Sequence, residues 1–198
     1  MSRIDFNENW KYSWPDKKAC QEITLPHDAM LGEPRSAASA GGTNTGWFEG
    51  RDYVYEKTFP APPDWAGKKV LLEFEGVYHN AEVWINGEQA AFHPYGYTGF
   101  YVDATPFLCL GAENTVRVVA RNADQPNSRW YSGAGIYRPV WLHVLPGAHI
   151  LPDGVKVKTL DHRSPAVRVS VAVSRPGTAR VEILDGAAVL AAAELSTE

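Results

Sequence analysis

Between Ser128 and Leu142 the chain reads SRWYSGAGIYRPVWL, which gathers Arg129, Trp130, Tyr131, Tyr137, Arg138 and Trp141 around Gly133 and Gly135. Aromatic rings offer flat apolar faces with polar edges, and each guanidinium is a planar fork of donors. Such a set can stack on a small ligand and donate to its hydroxyls. The same residues can equally pack a domain edge. The two glycines fit a tight bend, because glycine tolerates positive φ without a Cβ clash. After them, Tyr137, Arg138 and Trp141 enter an alternating segment, where Arg138 is expected to pair structurally.

Carboxylate chemistry has less support. Glu73 and Glu75 flank one residue on an expected strand face, which is ordinary alternation rather than an acid/base pair. His27-Asp28 and Asp161-His162 are adjacent in sequence without a nucleophile at a recognisable spacing, and adjacency does not make a triad. His27 beside Pro26, and His93, are expected to be hydrogen-bonded structural groups. Cys20 and Cys109 lie far apart without metal-ligand spacing, so no metal and no cofactor is expected. GGTNTG, within the small polar stretch Gly32 to Gly46, lacks the lysine and following helix of a phosphate loop. A loop that long is either functional or disordered.

Composition narrows the classes further. A hydrophobic fraction of 44% and a charged fraction of 21% suit an ordinary globular core. The net charge of −4, with no run of Lys or Arg, argues against a nucleic-acid surface. Seven Trp are many, and flat rings suit small-molecule or sugar contact. The start, MSRIDFNENWKY, lacks the apolar core of a signal peptide, and no window reaches the apolar length of a membrane span. The two cysteines read as reduced thiols, so the expectation is a cytoplasmic protein without membrane partners.

The elements that must position these residues are strands. Val70, Leu72 and Phe74 alternate with Leu71, Glu73 and Glu75; Ala81, Val83 and Ile85 with Glu82, Trp84 and Asn86. Val116, Val118 and Ala120 repeat the period, as do Val140, Leu142 and Val144. Asn86-Gly87 and Asp185-Gly186 are hairpin signals, since both turn residues must tolerate positive φ. The Ala-rich stretch Ala187 to Leu195 has helical propensity, but its place after Asp-Gly favours a strand. Near LPGAHILPDG the strands turn lean and free of Trp. A boundary is therefore placed near residue 150, with domains at 1–149 and 150–198. The second stretch is roughly half of the ~100 residues of an immunoglobulin-like sandwich, so it is expected to be truncated.

Several motifs occur in a familiar order: LPHDA, GWFEGRDYVYEKTF, FEGVYHNAEVWING, HPYGYTGFYVDATPFL and finally SRWYSGAGIYRPVWL. Together they resemble the N-terminal sugar-binding domain of glycoside hydrolase family 2, most closely that of bacterial β-galactosidases. The resemblance covers about residues 1–150. It implies an all-β chain, a jelly-roll β-sandwich followed by the first strands of an immunoglobulin-like sandwich. It also implies a downstream TIM barrel carrying the two carboxylates of a retaining mechanism, about 5 to 5.5 Å apart. That barrel is absent here, so the chain alone is expected to have no catalytic residue.

What the resemblance leaves to this domain is the pocket rim. Asp28 matches a polar side chain that contacts sugar in the family; otherwise it caps a turn after Pro26. Counting back from GIYR, Arg129 stands where better-known relatives carry an aspartate. It is expected either to donate to galactose hydroxyls, to pair with Asp28, or to stack on Trp130 at the surface. Trp130 and Tyr131 are candidates for a stacking wall, with buried packing as the alternative. HPYGYTGF is given a structural role, a tyrosine-rich turn packed beneath the sugar loops, with ligand contact as the lesser alternative. The implied partners are a β-galactoside, the chain's own barrel and, through exposed strand edges, a second copy. A free-standing carbohydrate-binding module and an interdomain structural module are the competing readings.

Overall fold

The computed structural model describes residues 2–16 and 20–197. The chain divides into two compact units, 1–144 and 145–198. The first is built from β1 (Ser2–Asp5), β2 (Trp10–Ser13), β3 (Gln21–Ile23), β4 (Asp52–Ala61), β5 (Lys69–Phe74), β6 (Ala81–Ile85), β7 (Glu88–His93), β8 (Phe100–Asp103), β9 (Ala112–Arg121) and β10 (Val140–Leu145). Two sheets result, in the orders β1-β10-β5-β8 and β3-β2-β4-β9-β6-β7. The pairings β1–β10, β5–β8, β2–β3, β2–β4, β4–β9, β6–β9 and β6–β7 are all antiparallel. This is the all-β jelly-roll sandwich expected from the motifs. The only helical pieces among the described residues are short 3-10 turns, and no helix is long and apolar enough to cross a membrane.

The alternation in the sequence becomes the inner faces of the sandwich. Val70, Leu72 and Phe74 from one sheet meet Val83, Ile85, Val116 and Val118 from the other, all essentially without solvent contact. Each such side chain contributes about 1.5–3 kcal/mol on leaving water. Trp10 is fully buried and still satisfies its indole N–H, which donates to the Phe6 carbonyl at 2.7 Å. The outer face of the smaller sheet departs from simple alternation, because Leu71 and His143 are also buried there. His143 Nε2 sits 2.7 Å from Glu73 Oε2. Arg3 donates to Glu73 and Glu75, and its guanidinium lies 3.9 Å from the Trp141 ring centre. Glu73 and Glu75 are therefore paired structural carboxylates.

Asn86 and Gly87 form the β6–β7 turn with φ of 50° and 86°, the conformation this dipeptide favours. The stretch 32–46 is ordered by its own bonds rather than by a strand. Ser39 Oγ and the buried Thr45 Oγ1 both donate to the Phe48 carbonyl, at 2.7 and 3.0 Å. Arg35 and Phe48 form an isolated antiparallel bridge.

The second unit holds β11 (Ile150–Asp161), β12 (Ala166–Val173), β13 (Gly177–Asp185) and β14 (Ala188–Thr197). They pair as two antiparallel hairpins, β11–β12 and β13–β14, as the opening strands of an immunoglobulin-like sandwich would. The Ala-rich stretch is thus a strand. In this unit Val155, Val157, Leu160, Val167, Leu184 and Leu190 are exposed. An apolar groove of about 370 Å³ runs between the hairpins, lined by Leu160, Val169, Val181, Ile183 and Leu195 among others. Cys20 and Cys109 are both free and exposed.

Candidate functional site

Three segments distant in sequence are laced together at one place in the first unit. The amides of His27 and Ala29 donate to the carbonyls of Ile136 and Ala134, at 2.8 and 2.9 Å. Between those two residues Gly135 exchanges both of its backbone bonds with Tyr78, at 2.8 and 2.9 Å. In an extended segment successive carbonyls point to opposite sides, so 134–136 runs between 27–29 and Tyr78. Gly135 has a φ of +90°, and a Cβ there would stand 1.9 Å from the Tyr55 hydroxyl. Only glycine fits.

Asp28 is the hub of this lacing. Its Oδ1 accepts from the amides of Met30 and Ala134, both at 3.0 Å. The first bond caps the short 3-10 turn Ala29–Gly32; the second ties in the glycine loop. Its Oδ2 accepts the Tyr131 hydroxyl at 2.6 Å. A carboxylate has about four lone-pair sites, so Oδ2 keeps one acceptor position open. Asp28 therefore caps a turn, as its alternative reading held, and also joins Tyr131. Burial raises the Tyr131 phenol well above its usual range, with Asp28's hydrogen bond and charge adding to the effect. Tyr131 stays a donor at neutral pH.

The predicted residues Asp28 and Tyr131 thus meet directly. The Tyr131 ring packs 5.7 Å from buried Phe48 at a tilt, and Tyr131 keeps 38% of its surface. Trp130 is 61% exposed, with its indole N–H donating to the Tyr97 hydroxyl at 3.2 Å. Arg129 is exposed and makes no hydrogen bond or ion pair among the described residues. Pairing of Arg129 with Asp28 is not observed; Tyr131 occupies that carboxylate oxygen instead. Arg138 lies over the Tyr137 ring at 5.6 Å.

His27 behaves as a structural group: Nδ1 lies 2.9 Å from the Tyr55 hydroxyl, and burial lowers its pKa against the opposing charge of Asp28. Among the described residues, no three His, Cys, Asp or Glu side chains stand where they could hold a metal ion.

Sequence reasoning under-read one contributor and missed another. Tyr95 and Tyr97, expected beneath the loops, are 57% and 42% exposed. Their turn is pinned from behind, since the Tyr137 hydroxyl donates to the Gly96 carbonyl at 2.7 Å. A Cβ on Gly96 would come within 2.3 Å of the Tyr78 ring. The repeated Tyr-Gly-Tyr was the available signal. The second omission is Asn127, whose amide bonds to Asn122 and to the His79 ring at 2.8 and 3.1 Å, while Tyr78 donates to its carbonyl oxygen at 3.2 Å. Those bonds hold the entry to the Arg129–Tyr131 stretch.

Comparison with known proteins agrees with this architecture. Residues 45–146 match the family model described as glycosyl hydrolases family 2, sugar binding domain. The chain is 41% identical over 167 residues to β-galactosidase BoGH2A of Bacteroides ovatus, covering 79% of this chain and 20% of that protein. It is 32% identical over 165 residues to a putative β-glucuronidase of Formosa agariphila, covering 78% of this chain and 16% of that one. A crystal structure of a family 2 glycosyl hydrolase from Bacteroides cellulosilyticus superposes with a TM-score of 0.86 at 28% identity, over 100% of this chain and 28% of that chain. The chain thus spans about a fifth of the length of such curated relatives. By its motifs, its sandwich and the matched residues, the chain belongs to glycosyl hydrolase family 2 and carries that family's sugar-binding domain.

Proposed function

We propose that this chain supplies the pocket rim of a retaining β-galactosidase, with catalysis carried by two carboxylates on a barrel outside the chain. The observation that carries the reading is the meeting of Asp28 and Tyr131, 103 residues apart, beside exposed Trp130. The open acceptor site on Asp28 Oδ2 takes one sugar hydroxyl, with the carboxylate charge strengthening the bond. Arg129, exposed and without a hydrogen-bond or ion-pair partner among the described residues, donates to neighbouring hydroxyls. Trp130 offers its ring to the apolar face of the sugar. No carboxylate pair in this site replaces those of a glycosidase, so the chain alone binds without hydrolysing.

A second reading rests on Arg129. A free guanidinium at the rim also suits the carboxylate of a β-glucuronide. The charge of Asp28 opposes that, which favours the neutral galactoside. Titration of the chain with methyl β-galactoside and methyl β-glucuronide, followed by the indole N–H resonance of Trp130, separates the two. Weak saturable binding of the galactoside, reduced in Asp28→Ala, is expected. A chromogenic β-galactoside should show no turnover above background. Hydrolysis abolished by Asp28→Ala would overturn the non-catalytic reading.

A further inference from the structure

The outer face of the six-stranded sheet carries a hollow that shares no residue with the Asp28–Tyr131 site. It measures about 360 Å³ and is lined by Glu56, Trp84, Gly87, Thr115 and Arg117, a size that suits a small ligand. The strand register brings these residues together. Lys11 stands opposite Glu56, Glu56 opposite Arg117, Arg117 opposite Trp84, and Trp84 opposite Gln89. Their neighbours Val83, Ile85, Val116 and Val118 turn into the core, so this row faces outward. Five adjacent strands spaced ~4.8 Å apart make the row about 19 Å long.

The hollow offers one ring and one ion pair. Trp84 is half-buried, and its indole nitrogen is fully so, which leaves the ring rather than the polar edge to meet a ligand. Arg117 Nε lies 3.2 Å from Glu56 Oε1, with both side chains part-exposed. The terminal nitrogens of Arg117 make no hydrogen bond or ion pair among the described residues. A paired guanidinium and carboxylate carry no net charge, yet they set a fork of donors beside free acceptor lone pairs. That combination fits the vicinal hydroxyls of a neutral sugar, and the flat indole fits its C–H face. A charged ligand gains little from a pair already neutralised. Charges alternating along the row leave no contiguous apolar patch for a protein partner.

The rim is fixed in place. Asn86 exchanges two bonds with Thr115: its Oδ1 accepts the Thr115 amide at 2.9 Å, and its own amide donates to the Thr115 carbonyl at 2.9 Å. Asn86 Nδ2 also donates to Asn114 Oδ1 at 2.7 Å. These bonds hold the Asn86-Gly87 turn against β9. Nothing lies within 4 Å of the Cβ position of Gly87, so the mouth beside it is open. A site already fixed loses little conformational entropy when a ligand arrives.

We infer that this outer face is a second saccharide site, which takes a neutral linear oligosaccharide laid along the row. One pyranose stacks on Trp84, and its hydroxyls bond to Arg117 and Glu56. The length of the row gives room for more than one ring. The site stands or falls independently of the galactoside reading, because the two share no side chain. The step is binding alone, with no bond made or broken.

The test titrates the 198-residue chain with cellotetraose, xylotetraose and galactotetraose, and with tetragalacturonate as the acidic comparison. The indole N–H resonance of Trp84 and the Nε–H resonance of Arg117 report binding. At least one neutral tetrasaccharide should shift both resonances saturably, with the same affinity in Asp28→Ala. Trp84→Ala, read at Arg117, should weaken that binding about tenfold, and Trp84→Phe should recover part of it. Arg117→Ala, read at Trp84, should weaken it as well. The Arg117 side chain is 41% exposed, so this variant keeps the test valid if Trp84→Ala does not fold. Silence of both resonances with every neutral tetrasaccharide overturns the second site. A shift lost in Asp28→Ala and kept in Trp84→Ala also overturns it, by assigning all binding to the rim. Tighter binding of tetragalacturonate than of any neutral probe overturns the neutral ligand class.

Discussion

The Tyr131 hydroxyl donates to Asp28 Oδ2 at 2.6 Å, and the same carboxylate receives the amides of Met30 and Ala134 through its other oxygen. One side chain therefore caps a turn, holds a glycine loop and positions a tyrosine. Tyr131→Phe should cost about 1 kcal/mol, the usual net worth of one hydrogen bond. Asp28→Ala should cost roughly 2 kcal/mol, because a cap and a loop bond go with it. Urea denaturation of the two variants checks this order. Equal losses would show that the backbone bonds of Asp28 carry nothing.

Gly135 gives a sharper contrast. Alanine there combines a φ of +90° with a Cβ 1.9 Å from the Tyr55 hydroxyl, and Tyr55 has no space to retreat. Gly67 also has a positive φ, +73°, but nothing lies within 4 Å of its Cβ position. Gly67→Ala should therefore cost about 1 kcal/mol of backbone strain. Gly135→Ala should cost about 3 kcal/mol or more, since strain and overpacking add. Thermal melts of both variants would decide, and matching midpoints would contradict the close approach.

Glu33 has a fully buried side chain whose Oε2 accepts from Arg51 Nε at 2.8 Å. Its Oε1 and the Tyr53 hydroxyl are buried with no hydrogen-bond partner among the described residues. Burial, and next the charge of Glu33, push the Tyr53 phenol far above its ordinary range. Removing Arg51 strands a buried carboxylate, which costs about 3 kcal/mol. Adding Glu33→Gln to Arg51→Met should recover at least half of that loss. A double variant as unstable as Arg51→Met alone would mean that the carboxylate's charge is not the problem.

How far the molecule could be read in advance depended on the range of the interaction. Strands whose apolar residues alternate, such as Val70-Leu72-Phe74 and Ala81-Val83-Ile85, bury those residues as their period demands. Asn86-Gly87 turned where its φ preference requires. Leu71 and His143 depart from alternation by being buried on the outer face, where His143 stands 2.7 Å from Glu73. The site was less legible. That Asp28 meets Tyr131 rather than Arg129 follows from a three-segment backbone lacing through Gly135, and no local pattern encodes such a meeting. Tyr95 and Tyr97 were expected in a turn packed beneath the sugar loops. Their exposure follows from Gly96 being clamped between Tyr78 and Tyr137, a contact over tens of residues.

Acid sensitivity should begin with histidine. Burial lowers the pKa of His27, against the opposing charge of Asp28, and lowers that of His79, against Asp124 and Asp52. Both are thus harder to protonate when folded than when unfolded, where the ordinary value is 6.5. Between the folded and unfolded values the unfolded chain binds more protons, so stability rises with pH across that window. It is complete above the unfolded value and is lost as pH falls towards the folded one. A second loss should follow at lower pH. Glu73 is raised by burial but held below the usual carboxylate range by His143 and Arg3, and Glu82 is held low by Arg121. Melting temperatures measured from about pH 7.5 down to about pH 4 should therefore fall in two stages. His27→Gln with His79→Gln should flatten the first stage and spare the second. An unchanged slope between about pH 6.5 and 5 in that variant would show that these two imidazoles are not the groups being titrated.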